Sequence, residues 1–110
     1  MRINKELMKG STVILILKLL DSKALYGYEM TKLIEQKSEG LFTFKEGTLY
    51  PILHTLEVEQ LVESYWDEEG GRKRKYYRIT DKGRRELGLK QQEWSLFSNT
   101  VSRIVGEGSV

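Results

Sequence analysis

Two groups of residues in this 110-residue chain are candidates for a binding surface. The first is a run of cations. From Arg72 to Arg85 stand Arg72, Lys73, Arg74, Lys75, Arg78, Lys82, Arg84 and Arg85 against one acid, Asp81, a local charge of +7. The rest of the chain carries −5, so the overall +2 conceals an uneven distribution. Such a block on a near-neutral chain fits a polyanion site on one face, while the plainer reading is a solvated charged surface. Gly70-Gly71 just before it permits a tight reversal, from which Arg72, Lys73, Arg74 and Lys75 can reach phosphates on either side of a groove. The second group lies in Gly47–Glu57. Leu49, Ile52, Leu53 and Leu56 fall at helical spacing and turn one face to a core, leaving Thr48, Tyr50, His54 and Thr55 outside.

Tyr50 is read as a contact residue in preference to a half-buried aromatic. His54 is balanced between contact and ordinary exposure. A lone histidine without a second His, a Cys or clustered carboxylates makes a poor metal ligand, so neither metal nor cofactor is expected. Ser, His and Asp occur, but no motif gathers them, and no glycine-rich phosphate loop is present. An enzyme is therefore not expected.

These groups need elements to hold them. Residues 11–21, opening with the N-cap types Ser11 and Thr12, read as a buried helix, followed by a turn at Asp21-Ser22-Lys23. Residues 26–37 place Met30, Leu33, Ile34 and Lys37 on one stripe, and Gly40 suits a helix end. Residues 41–45 form a loop anchored by Leu41, Phe42 and Phe44. A third helix covers 46–59; with Thr48 as its cap, Pro51 falls in the tolerant first turn. Residues 61–66 and 74–80 read as strands, joined by an acidic loop at Asp67–Gly71. Thr80 or Asp81 caps a long helix over 82–105, whose stripe of Leu87, Trp94, Phe97, Val101, Ile104 and Val105 has nothing left in so short a chain to cover it.

The expected fold is mainly α with a small β-hairpin, a winged helix-turn-helix followed by one long C-terminal helix. It divides into a DNA-binding domain at 1–80, a dimerisation helix at 81–105 and a flexible tail at 106–110. Double-stranded DNA is the expected partner, with a winged-helix protein-interaction module as the alternative. The uncovered helix argues for a second copy of the chain. Trp94 and Phe97 would sit in that interface, where a tryptophan can also stack on a flat ligand. The absence of cysteine fits a reducing cytosol. No signal peptide and no membrane span are expected, and the location is read as cytoplasmic.

Leu25-Tyr26-Gly27-Tyr28-Glu29-Met30, then Gly47-Thr48-Leu49-Tyr50-Pro51-Ile52-Leu53-His54, then Gly71-Arg72-Lys73-Arg74-Lys75-Tyr76-Tyr77-Arg78-Ile79-Thr80 with Gly83, resemble the PadR family of transcriptional regulators. The single long last helix resembles the short subfamily that includes the lactococcal multidrug regulator. The resemblance implies a homodimeric repressor. It implies DNA contacts from Tyr26, Lys45, Gly47, Thr48, Tyr50, Pro51, His54 and Thr55, and from the wing residues Arg72 to Lys75. It also implies an interface that joins N-terminal residues such as Met8 to Trp94, Phe97, Ser98, Val101, Ile104 and Val105. In the lactococcal relative a tryptophan matching Trp94 stacks on planar drugs, so a planar aromatic effector is expected. Two positions depart from the pattern: the family often has arginine at Thr55 and glycine at Gln60, which implies a lost phosphate contact and a strained or differently shaped helix end.

Overall fold

The structure, a computed structural model, describes residues 3–106. The chain runs α1 (Lys5–Lys9), α2 (Thr12–Ser22), β1 (Leu25–Tyr26), α3 (Gly27–Lys37), α4 (Glu46–Val58), β2 (Val62–Glu69), β3 (Arg72–Ile79) and α5 (Asp81–Ile104). The winged-helix arrangement is as expected, with two additions. A short helix, α1, precedes the first expected one. The hairpin also gains an edge strand, β1, giving an antiparallel sheet in the order β1-β3-β2.

The core lies between α2, α3, α4 and one face of the sheet. Ile16, Leu17 and Leu20 of α2, Met30 of α3, and Leu49, Leu53 and Leu56 of α4 close on Leu25, Val62, Tyr77 and Ile79. Helical spacing on α2 and α4 makes this possible, because residues three and four apart share a face. Lys37, expected on the α3 stripe, is exposed; the buried face is Gly27, Met30, Thr31 and Ile34. Leu41, expected as an anchor, is 44% exposed.

At α2 and α4 the helix starts follow backbone rather than side-chain caps. Ser11 occupies the N-cap of α2 without a side-chain bond, because its backbone is already helical as it leaves α1. Asp21 and Ser22 extend α2 instead of forming a turn. The α4 cap is Lys45, not Thr48: extended Lys45 turns its carbonyl to the amides of Thr48 and Leu49 at 3.0 and 3.1 Å. Pro51 therefore sits beyond the first turn, where it removes the amide that would bond the Gly47 carbonyl. Thr80 does cap α5, accepting from the Gly83 amide at 2.9 Å.

Gly70 and Gly71, at φ +60° and +77°, make a two-residue turn of the kind that joins twisted strands. The strands consequently run to Glu69 and from Arg72, so the acidic stretch expected as a loop lies in the ladder. Glu69 faces Arg72, Glu68 faces Lys73 and Asp67 faces Arg74.

The molecule measures 60 × 31 × 21 Å. The long dimension comes from α5, whose buried residues, Gly83 and Leu87, both lie in its first two turns. Gly106 ends the described residues, and 107–110 of the expected flexible tail lie outside them.

Candidate nucleic-acid interface

The outward face of α4 is small and uncharged at its centre. Gly47, Pro51 and His54 are exposed along it, with Thr48 and Thr55 beside them. The Thr55 hydroxyl donates to the Pro51 carbonyl at 3.1 Å, so it is held down on the helix. Val58, one turn beyond His54, completes this stripe and is 68% exposed. The helical spacing of Gly47, Pro51, His54 and Val58 could have singled it out. A methyl-bearing side chain there can meet a thymine methyl in a major groove.

Tyr50 stands at the edge of this face, 41% exposed, and leans back onto α3. A Cβ built on Gly27 would lie 2.7 Å from the Tyr50 hydroxyl, so the absence of a side chain at Gly27 is what lets the phenol approach. Burial raises the Tyr50 pKa above its ordinary value, and the Glu46 carboxylate adds to the rise. Tyr77, below it on the sheet, is raised likewise, first by burial and then by Glu57 and Tyr50. At neutral pH both are neutral hydroxyls able to donate or accept. Lys45 lies exposed at the N-terminus of α4.

The wing divides its cations between two faces, because successive strand residues alternate. Lys73 and Lys75 share the face of buried Tyr77, toward the helices, with Lys75 Nζ 5.7 Å from the Tyr77 ring centroid. Arg72, Arg74 and Arg78 share the other. There the Arg74 guanidinium lies 4.6 Å over the Tyr26 ring, Tyr26 packs edge-on to Tyr76 at 5.4 Å, and Tyr76 stacks on Tyr65 at 5.7 Å. Arg78 closes the row, 5.1 Å over Tyr65 and bonded to Glu63 at 2.7 Å. Tyr26 is thus placed away from the outward face of α4, as a platform for Arg74. Its own amide donates to Glu29 Oε1 at 3.2 Å, which ties this row to the start of α3.

The +7 block is not a +7 surface. Asp67, Glu68 and Glu69 stand across from Arg74, Lys73 and Arg72, although no ion pair within 4.0 Å joins them among the described residues. Arg84 is drawn off to Asp21 and Asp81, at 3.3 and 3.1 Å. Arg72 and Lys73 remain exposed at the tip beside the Gly-Gly turn. No group of three His, Asp or Glu that could hold a metal occurs among the described residues.

Residues 16–89 match the profile of the transcriptional regulator PadR-like family, a stretch that takes in α3, α4, the whole wing and the start of α5. The chain belongs to the PadR-like family of transcriptional regulators. It is similar to a transcriptional regulator of Clostridium thermocellum, with a TM-score of 0.87, 36% identity and coverage of 94% of this chain and 98% of that one. A PadR-like transcriptional regulator of Bacillus cereus gives a TM-score of 0.81 at 32% identity, covering 92% and 97%. Transcriptional regulator YqjI of Escherichia coli is 30% identical over 88% of this chain, which spans 46% of that longer protein.

Helix α5 extends past the winged helix; Leu87, expected in the uncovered stripe, is buried in the core because it lies in the second turn against the domain, while the apolar residues beyond it are uncovered. Trp94 is 50% exposed and Phe97, Val101, Ile104 and Val105 are exposed too, with Ser98 between them half-buried. The structure brings Met8 and Trp94 together: both line a groove of about 560 Å³ between α1, α2, the 41–45 loop and α5. Phe97 to Val105 continue beyond it. Leu89 and Leu96, also exposed, form a second strip on nearly the opposite side of α5 that the single-stripe reading missed. No helix among the described residues is long and apolar enough to cross a membrane.

Proposed function

We propose that this PadR-like regulator is a repressor that binds a pseudo-palindromic operator as a homodimer. The observation that carries the reading is the pairing of an outward α4 face free of central charge with a wing that presents cations on both its faces. In this reading α4 enters the major groove. There Gly47, Thr48, Pro51, His54, Thr55 and Val58 approach base edges, with Tyr50 at the rim and Lys45 on a phosphate. Arg72, Lys73 and Lys75 hold the backbone, and Arg74 reaches it from its tyrosine platform. Thr55 does not replace the phosphate contact of an arginine.

Residues 1–80 act as the DNA-binding domain and 81–105 as the dimerisation helix. Trp94, Phe97, Ser98, Val101, Ile104 and Val105 of two copies bury one another, with Met8 at the margin. Two-fold symmetry then sets the reading helices about 34 Å apart, one turn of DNA. The groove holding Met8 and Trp94 suits a planar aromatic effector, as in the short subfamily that the long last helix resembles. Such a ligand releases DNA only as far as it prefers the non-binding spacing.

A mobility-shift titration on the duplex upstream of the protein's own gene, beside a random duplex, tests the DNA reading. Preferential binding of the first, in a dimer by sedimentation, is the expected result; equal or no binding contradicts it. Quenching of Trp94 by a flat cationic dye in a Trp66→Phe background tests the effector. An unquenched Trp94 reduces that residue to an interface anchor.

A further inference from the structure

Trp66 is the largest exposed side chain on the wing, 64% open to solvent. On β2 it follows Val62 and Ser64 on the face turned toward the helices, and it stands directly across from Lys75. The rungs on that face can be followed from base to tip. Val62 and Ile79 are buried. Ser64 is tied to α4, its hydroxyl donating to Glu57 Oε2 at 2.5 Å, and its partner Tyr77 is buried. Trp66 and Lys75 form the next rung, the first that no helix covers, and Glu68 and Lys73 form the last. Trp66 therefore lies on the helix-facing side of the wing, one rung beyond the Ser64 that is bonded to Glu57 of α4.

A tryptophan is seldom left this open, because its ring buries a large apolar area and its indole N–H needs an acceptor. Among the described residues nothing supplies either: the residue is 64% exposed and no hydrogen bond leaves its Nε1–H. On the same face the cations Lys73 and Lys75 outnumber the single acid of these two rungs, Glu68, which favours a polyanion as the surface that covers it. We propose that Trp66 is a contact to the DNA backbone, its Nε1–H donating to a phosphate oxygen and its ring lying on the adjoining deoxyribose. This rests on the DNA-binding reading above, in which α4 enters the major groove and the wing holds the backbone; Trp66, on the helix-facing side of the wing, then meets that backbone. The contact is to sugar and phosphate, so it adds affinity without sequence preference. It carries no charge, so it adds nothing to the salt slope.

The test labels the wild-type protein with 5-fluorotryptophan, which gives two ¹⁹F lines; Trp66→Phe removes one and assigns it. On saturation with the duplex upstream of the protein's own gene, the Trp66 line is expected to move and to lose its H₂O/D₂O solvent shift. Trp66→Ala should weaken binding on the order of ten-fold, as for loss of a hydrogen bond to a charged group. The loss should be equal on upstream and random duplexes, with an unchanged salt slope and an unchanged far-UV melting curve. A Trp66 line that stays put at saturation, in a protein that binds, overturns this contact and leaves the DNA reading standing. A Trp66 line that changes with protein concentration before DNA is added overturns it in favour of a second copy of the chain. Failure of the wild type to bind either duplex overturns both readings.

Discussion

The reading helix and the wing are neighbours, yet they meet their surroundings in opposite ways. Helix α4 is anchored by Leu49 and Leu53, wholly buried, and Leu56, nearly so, and its outward face is neutral. The wing beyond Tyr77 has no core of its own. Its cations are held near acids across the ladder and over tyrosine rings. A rigid neutral face suits discrimination between base edges, where one misplaced group costs affinity for one sequence. A charged, partly self-neutralised ribbon suits attachment to any sequence, because the phosphates are everywhere. On the proposed reading, positive charge and sequence discrimination therefore reside on separate elements.

Substitutions on the two elements test that contrast. Leu53→Ala should destabilise the fold by about 2–5 kcal/mol through transfer and cavity terms, measured by urea unfolding. Arg72→Ala should leave the same curve within ~0.5 kcal/mol, as an exposed substitution does. A comparable loss from both would mean that the wing is a structural element like α4. Tyr50→Ala should cost about 1–3 kcal/mol more on the upstream duplex than on a random one. Equal loss on the two, with a lowered melting curve, would make Tyr50 a packing residue of the α3–α4 contact.

Gln60 marks the joint between the two regions. Its φ of +64° places a side chain in the left-handed region, where its amide bonds the Glu57 carbonyl and the next amide, Leu61, bonds that of Leu56. This is a Schellman ending with the wrong residue for it. Gln60→Gly should therefore stabilise the protein by roughly 1 kcal/mol in the same assay, without altering DNA affinity. The smallest effect belongs to the acids. Glu68→Gln with Glu69→Gln should tighten binding to random duplex about three-fold at low salt, since each acid offsets a cation that faces phosphate. Unchanged affinity would show that the ladder pairs are already screened.

Much of this was legible in the residues. The helical spacing of Leu49, Ile52, Leu53 and Leu56 located α4 and its outward face, and Thr80 capped α5 as its type suggested. The strain at Gln60 followed from comparison with the family pattern, and φ agrees. Other features were not legible for definable reasons. The α4 cap is set by the extended backbone at Lys45, which no side-chain preference encodes. Strand β1 has two residues, too few for alternation to show. Counting charge along the chain gave +7 because the acids that oppose it lie on the preceding strand, and only the register of the two-residue turn brings them opposite. The placement of Tyr26 under Arg74 is likewise a contact between distant segments.

The claim that the wing attaches while α4 selects is tested most directly by the salt dependence of affinity on two duplexes. Dissociation constants would be measured over a range of salt for wild type and for Arg72→Ala with Lys73→Ala, on the upstream and random duplexes. The double substitution should lower the slope of log K against log salt by about two on both duplexes, near one per lost phosphate contact. The ratio of upstream to random affinity should be preserved. A slope that does not change, or a ratio that collapses with it, would contradict the account.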